Sequence, residues 1–380
     1  MDVRKFSIPE IIFGRGSIQY VALCARRLGA ENVFLVSDKG LEQAGWVERI
    51  CSILEKEGLT WTYFNGVSSN PRDYQIDDGV RRYREHRCDV VMAVGGGSPM
   101  DAAKGIAMVA SNGGKVQDYE GANRIQRPLP PMVFMPSTAG SGADISQFAI
   151  ITDMARQVKM SIISRTLVPN ISIIDPELLM TKTNELIISS AIDALSHAIE
   201  SYISTIASSL TEINALKAVD LIIRHLPAAL EKRSMNDLEK LSSAGTFAAM
   251  SFSNASLGLD HALAHSLGGK LDLAHGLIHP VLLPPVMRFN LSACVEKMAD
   301  IGEIIMGRRQ GSAEATARNG IDRLDSFFEN FGVGTRLGTI VSDPDVLPQV
   351  CRMATHDACL VTNPRQATEQ DMIDICKACW

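Results

Sequence analysis

The stretch CDVVMAVGGGSPMDAAKGIAMVA, residues 88–110, reads as a buried strand running through a triple-glycine turn into a helix. Its apolar run is unbroken rather than alternating, as expected of a strand covered on both faces. Gly95, Gly96 and Gly97 allow close approach to the backbone, and Ser98 precedes the helix. Amides at that helix start, reinforced by the helix dipole, suit a pyrophosphate. The turn is not GxGxxG, and triple glycines also serve as plain tight turns.

Outward from this unit the same alternation recurs. NVFLVSD (32–38), WTYFNGV (61–67) and PMVFMPST (131–138) read as strands, separated by a helix carrying Leu41, Val47, Ile50 and Leu54 and by a charged helix at 77–86. ITDMARQVKMSIIS reads as a hairpin, and ISIID as a last strand near the domain edge. Strands alternating with helices imply a parallel, doubly wound sheet. After Asp175-Pro176-Glu177 the pattern changes, and from Asn184 nearly every segment fits an amphipathic or buried helix. The reading is an α/β Rossmann-like domain over residues 1–178 and an all-α domain over 179–380. With no low-complexity linker, the two are expected to pack around a cleft, where ligands favour binding.

Two further features of the first half point to a dinucleotide. MPSTAGSGAD (135–144) is a second glycine-rich turn after a strand, and its Ser137, Thr138 and Ser141 hydroxyls suit a nicotinamide or ribose. Asp38 ends a strand, where a carboxylate accepts from ribose hydroxyls and repels a 2′-phosphate, favouring NAD over NADP. The plainer reading of Asp38 is a helix cap before Lys39-Gly40.

The helical half concentrates metal-binding side chains. Asp193 and His197 stand four apart in AIDALSHAIE, on one helix face. His261 and His265 repeat that spacing, and His275 follows, so three of eight histidines fall within fifteen residues of Ala-, Leu- and Gly-rich sequence. An apolar helix rarely buries a carboxylate and several imidazoles unless something satisfies them, and a cation does. One oxygen and three nitrogens suit Fe²⁺ or Zn²⁺ with a position left open. Taken alone, Asp193 and His197 also fit a capping Asp and a hydrogen-bonded core histidine.

Composition excludes other classes. With 380 residues, 46% hydrophobic and 21% charged, the chain reads as a soluble protein of two domains. A formal net charge of −6 and no Lys/Arg-rich run argue against nucleic acid. The first thirty residues hold no signal-peptide pattern, and no apolar run is long enough to span a bilayer, so a cytoplasmic protein is expected. Eight irregularly spaced cysteines do not form a disulfide framework; Cys376 and Cys379 make a lone CxxC read as packing.

Together these motifs resemble the iron-containing (group III) alcohol dehydrogenase family over nearly the whole chain. The resemblance is carried by IIFGRGS (11–17), VSDKGL (36–41), GGGSPMDAAK (95–104), PSTAGSGAD (136–144), IIDPEL (173–178), DALSHAIESY, HALAHSLGGKLDLAHG and DACLVTNPR (357–365). It implies a dehydroquinate synthase-like fold, NAD, Fe²⁺ with Zn²⁺ as alternative, and a homo-oligomer. It places the metal ligands on Asp193, His197, His261 and His275. His265 matches a position beside the metal, where it would orient solvent or relay a proton. Asp38, Asn70, Gly96, Gly97, Ser98, Asp101, Thr138 and Lys159 match cofactor-side positions.

Three departures stand out: Ala191 replaces a usual Gly, Asp260 stands where a small apolar residue is common, and His279 stands where Asn is frequent. His279 reads as a neighbour of the metal site or as a surface histidine before Pro280; Asp260 has no account from sequence. SQFAIITD and FSNASLG resemble an alcohol-dehydrogenase-like regulatory branch. The expected activity is interconversion of a small primary alcohol or diol and its aldehyde with NAD(H). A hydroxyacid–oxoacid transhydrogenase and a weakly catalytic regulator are the rival readings.

Overall fold

The structure, a computed structural model, describes residues 5–380. Two compact units emerge, one of Ser7–Thr183 with Arg233–Ser242, the other mainly of Asn184–Lys232 and Ser243–Trp380. The division falls at Thr183, five residues beyond the change read from sequence. Arg233–Ser242 joins the first unit because Arg233 donates to the Met180 and Lys182 carbonyls at 3.1 and 2.7 Å, and Arg15 pairs with Glu239 at 2.9 Å.

The first unit carries strands β1 (Glu10–Phe13), β2 (Asn32–Val36), β3 (Thr60–Phe64), β4 (Val90–Gly95), β5 (Gly121–Ala122), β6 (Met132–Pro136), β7 (Phe148–Asp153), β8 (Val158–Ile163) and β9 (Ile171–Ile174). Six form one sheet in the order β1-β9-β6-β4-β2-β3, every pair parallel. β7 and β8 form the expected antiparallel hairpin, joined by β5 in a small second sheet. β9 is one strand in from the edge, because the four-residue β1 outflanks it.

The central strands have a two-residue period in what they touch. Phe34, Val36, Val91, Ala93, Met132 and Phe134 pack into one core with Ile76 and Val80 of helix Asp73–Glu85 and Ile106 of helix Gly97–Asn112. Val33, Leu35, Met92, Val94, Val133 and Met135 pack on the opposite face with Val21, Ala25, Val47, Ile50 and Leu54. Two buried faces explain the unbroken apolar runs.

The second unit is helical. In helix Leu259–Leu271, Leu259, Leu263 and Leu267 recur every four residues and enter a core with Ile278, Leu282, Val286 and Val350. His261 and His265 are offset by two residues, roughly 200° around the axis, on the other side. Among the described residues no helix is long and apolar enough to cross a membrane.

Candidate metal centre and dinucleotide turn

Three segments of the second unit bring the metal candidates together. Helix Asn184–Ile203 presents Asp193, His197 and Glu200, spaced i, i+4, i+7 along one face. Helix Leu259–Leu271 presents His261, and the short turn His275–Leu277 leads His275 into helix His279–Asn290. Pro280 sits in the first turn of that last helix, where its missing N–H is tolerated.

One oxygen is the common point. Asp193 Oδ1 lies 3.7 Å from His197 Nε2, 3.9 Å from His261 Nε2, 3.7 Å from His275 Nε2 and 3.3 Å from His279 Nε2. Asp193 Oδ1 and His261 Nε2 are buried and have no hydrogen-bond partner among the described residues. Atoms sharing one ion through bonds of about 2.0–2.2 Å sit roughly 3.0–3.6 Å apart, so these separations lie at or just above the spacing of a ligand set. The donor set fits a divalent cation. The three sequence-predicted histidine ligands thus all lie within 4 Å of the oxygen of the fourth, Asp193. The tightest grouping, with ligand atoms mutually within 4.8 Å, is Asp193, His261, His275 and His279. His197 joins through Asp193, its ring stacked between Phe252 at 4.2 Å and His261 at 4.6 Å.

Behind the imidazoles stand carboxylates. His261 Nδ1 lies 2.7 Å from Glu200 Oε2, His279 Nδ1 2.6 Å from Asp260 Oδ2, and His265 Nδ1 2.9 Å from Asp357 Oδ2. Such partners fix which ring nitrogen carries the proton and leave Nε2 for an ion. Burial lowers His261 to about 4 despite the opposing pull of Asp193, so its ring is neutral, as a ligand must be. Glu200 is pushed up to about 7 by burial, against the pull of the Asp260, Gly258 and His261 amides. His279 faces the same burial penalty, but Asp260 and Asp193 raise it to about 10, and a cation bound at Nε2 would displace the proton they favour there. Asp193 is held well below the usual carboxylate range because the surrounding histidines outweigh its burial.

Sequence reasoning missed part of this arrangement. His279 is fully buried, which removes the surface reading, and Asp260, also fully buried, is its partner. Glu200 was legible only as a third polar residue on the Asp193 face, and Asp357 only as the start of DACLVTNPR. His265 is 7% exposed and stacks on His275 with centroids 5.4 Å apart, beside the centre but outside the tight grouping. Every described cysteine is free, and Cys379 donates to the Ile375 and Cys376 carbonyls at 3.3 and 3.4 Å.

In the first unit, the two glycine-rich turns lie side by side because β4 and β6 are paired. A Cβ on Gly96 would sit 3.5 Å from Thr138 Cγ2, and one on Gly97 only 3.0 Å from Ser141 Cβ. Ser137 N donates to the Gly95 carbonyl at 2.7 Å, while its buried Oγ has no partner among the described residues. Gly95 has φ +154°, and a Cβ there would meet Pro99 Cγ at 2.7 Å, so glycine is required. Asp38 caps its helix, Oδ1 accepting from Leu41 N at 3.0 Å, and its Oδ2 lies 3.2 Å from that Gly95 Cβ position. Gly97 and Ser98 begin helix Gly97–Asn112, whose start has no side-chain cap hydrogen bond, and Asp101 is in its first turns. Asn70 adopts φ 56° between β3 and helix Asp73–Glu85. Lys159 is on β8, opposite Thr152 of β7.

Family models for iron-containing alcohol dehydrogenase match residues 9–176, and for the C-terminal part of the Fe-containing alcohol dehydrogenase family residues 187–380. The chain belongs to the iron-containing alcohol dehydrogenase family. Among its relatives in this family, the NAD-dependent methanol dehydrogenase of Bacillus methanolicus is 35% identical over 374 residues, covering 98% of each chain. The 1,3-propanediol dehydrogenase of Citrobacter freundii is 35% identical over 382 residues, covering 99% of each. A crystal structure of a 1,3-propanediol oxidoreductase superposes with a TM-score of 0.97 at 34% identity, covering both chains fully.

Proposed function

We propose that this chain, an alcohol dehydrogenase by family, interconverts a small primary alcohol or diol and its aldehyde with NAD(H), using Fe²⁺ held by Asp193, His197, His261 and His275. The observation that carries the reading is one buried carboxylate oxygen faced by four imidazole Nε2 atoms at 3.3–3.9 Å. A divalent ion bound there supplies Lewis-acid polarisation of the substrate oxygen. The alcohol carbon gives a hydride to the nicotinamide and its hydroxyl loses a proton, leaving aldehyde, NADH and H⁺.

The protein's own groups prepare this exchange. Glu200 holds His261 with its proton on Nδ1, so Nε2 points to the centre as an electron-pair donor. Asp357 orients His265 in the same way, and His265 Nε2 is the group proposed to take the departing proton. The pyrophosphate is assigned to Gly96, Gly97 and Ser98 at the uncapped helix start, with Asp101, Asn70 and Lys159 on the cofactor side. Ser137, Thr138 and Ser141 are assigned to the nicotinamide or ribose. Asp38 Oδ2 gives the site its preference for a free ribose 2′-hydroxyl over a phosphate. Cytoplasmic location and homo-oligomeric assembly belong to the same proposal, the assembly resting on the family resemblance.

The test is anaerobic turnover of short alcohols, diols and their aldehydes with NAD(H) and NADP(H), on apoprotein and on protein loaded separately with Fe²⁺ and Zn²⁺. Turnover that needs metal and prefers NAD(H) is expected. Equal turnover by the chelated apoprotein, or none with either metal in protein that binds both metal and NAD, would overturn the reading.

A further inference from the structure

Two of the sequence departures, Asp260 and His279, are partners in space. Their side chains meet at 2.6 Å, both are fully buried, and they lie nineteen residues apart in the chain. Asp260 belongs to the first turn of helix Leu259–Leu271, and His279 opens helix His279–Asn290. With Nδ1 held by Asp260, the other ring nitrogen is turned to the centre. Nε2 lies 3.3 Å from Asp193 Oδ1 and 3.2 Å from His275 Nε2. It is nearer to Asp193 Oδ1 than is the Nε2 of any of the three predicted histidine ligands.

We propose that His279 is a fifth protein ligand of the metal and that Asp260 is its positioning residue. The inference rests on reading the centre as a divalent-cation site. Its backing supports it: Asp260 holds Nδ1 of His279 at 2.6 Å, which leaves Nε2 for an ion. The same pairing backs a predicted ligand, where Glu200 Oε2 lies 2.7 Å from His261 Nδ1. Spacing supports it as well, since 3.2 and 3.3 Å fall inside the roughly 3.0–3.6 Å expected between atoms bound to one ion. One oxygen and four nitrogens fill the usual four positions of Zn²⁺ and more. Room for a substrate oxygen then requires an ion that takes six ligands, which favours Fe²⁺, Co²⁺ or Mn²⁺ over Zn²⁺ as the working metal.

The experiment loads apoprotein with Co²⁺ and reads the paramagnetically shifted, exchangeable ring N–H signals in the proton NMR spectrum. Each histidine bound through Nε2 contributes one. Four are expected in the native protein and three in Asp260→Ala/His279→Asn, a double change that removes both partners together and so spares the fold an orphaned one. Chelator competition should show Co²⁺ held about 10–100-fold less tightly by the double variant. Three signals in the native protein, with number and affinity unchanged in the variant, would overturn the fifth ligand while leaving the metal site intact. Failure of the native protein to bind Co²⁺ at all would overturn both. The native count decides the question even if the variant does not fold.

Discussion

Replacing Glu200 by Gln tests whether the centre is built by its supporting carboxylates. Glu200 is 1% exposed and accepts from Asp260 N at 2.7 Å, His261 N at 3.4 Å and His261 Nδ1 at 2.7 Å. It thus caps helix Leu259–Leu271 from another helix and sets the His261 proton at the same time. Gly258 makes this approach possible, since a Cβ there would be 2.9 Å from Glu200 Oε1. A glutamine has the same shape but only one acceptor oxygen. If its NH₂ faces His261, the ring must accept at Nδ1 and carry its proton on Nε2, where it cannot bind an ion. If it faces Asp260 N, two donors oppose each other at the helix start. The first outcome weakens metal binding about 10–100-fold, or roughly 1.4–2.7 kcal/mol. The second removes a charged acceptor worth roughly 1.5–3 kcal/mol. For a loss of about 2 kcal/mol in a unit of this size, Tm falls by about 4–8 °C. Chelator competition and thermal melting of the chelated protein read the two separately. A Glu200→Gln protein with native metal affinity and native Tm would refute the reasoning.

Other perturbations probe the remaining parts. Gly320→Ala should lose about 1–3 kcal/mol by thermal or urea unfolding, because its Cβ would sit 2.4 Å from Gly302 Cα where helices Val295–Met306 and Ala313–Glu329 cross; unchanged stability would mean the helices separate freely. Fully buried Lys104 donates to the Ser146 and Phe148 carbonyls at 2.7 and 2.8 Å, and burial lowers its pKa from the ordinary 10.5. Between the lowered folded value and the unfolded one, the unfolded chain holds more protons, so the stability of the native protein should rise with pH relative to Lys104→Met; parallel urea-unfolding trends from pH 8 to 10 would argue against this. His265→Gln should lower kcat about 10²-fold while leaving metal content unchanged, since His265 is assigned proton transfer and not ligation; loss of metal from the variant would reassign it.

How far the sequence carries depends on whether a feature is local. Strand β4, its glycine turn and the helix beyond are legible because an unbroken apolar run, three glycines and a helix start sit side by side. The parallel sheet follows from the alternation of such units. β1 is harder, being four residues of half-exposed EIIF whose only argument for existing is its pairing with β9, some 160 residues later. Arg233–Ser242 is equally opaque, because its attachment depends on Arg233 reaching carbonyls about fifty residues back.

The same limit governs the site. Asp193 and His197 are legible because one turn of helix separates them, and His261 and His275 because imidazoles are scarce in apolar helices. Asp260 and His279 are visible too, but weighed singly they stay unresolved. An aspartate beside a predicted ligand has no account from sequence, and a histidine before proline fits the metal's neighbourhood or the surface equally. Their 2.6 Å contact settles both, since each supplies the partner that makes the other's burial tolerable. Glu200 follows the same logic, because its worth comes from amides sixty residues away. First-rank ligands announce themselves by residue type and spacing, whereas the groups that orient them have ordinary identities and acquire meaning only from what the fold sets beside them.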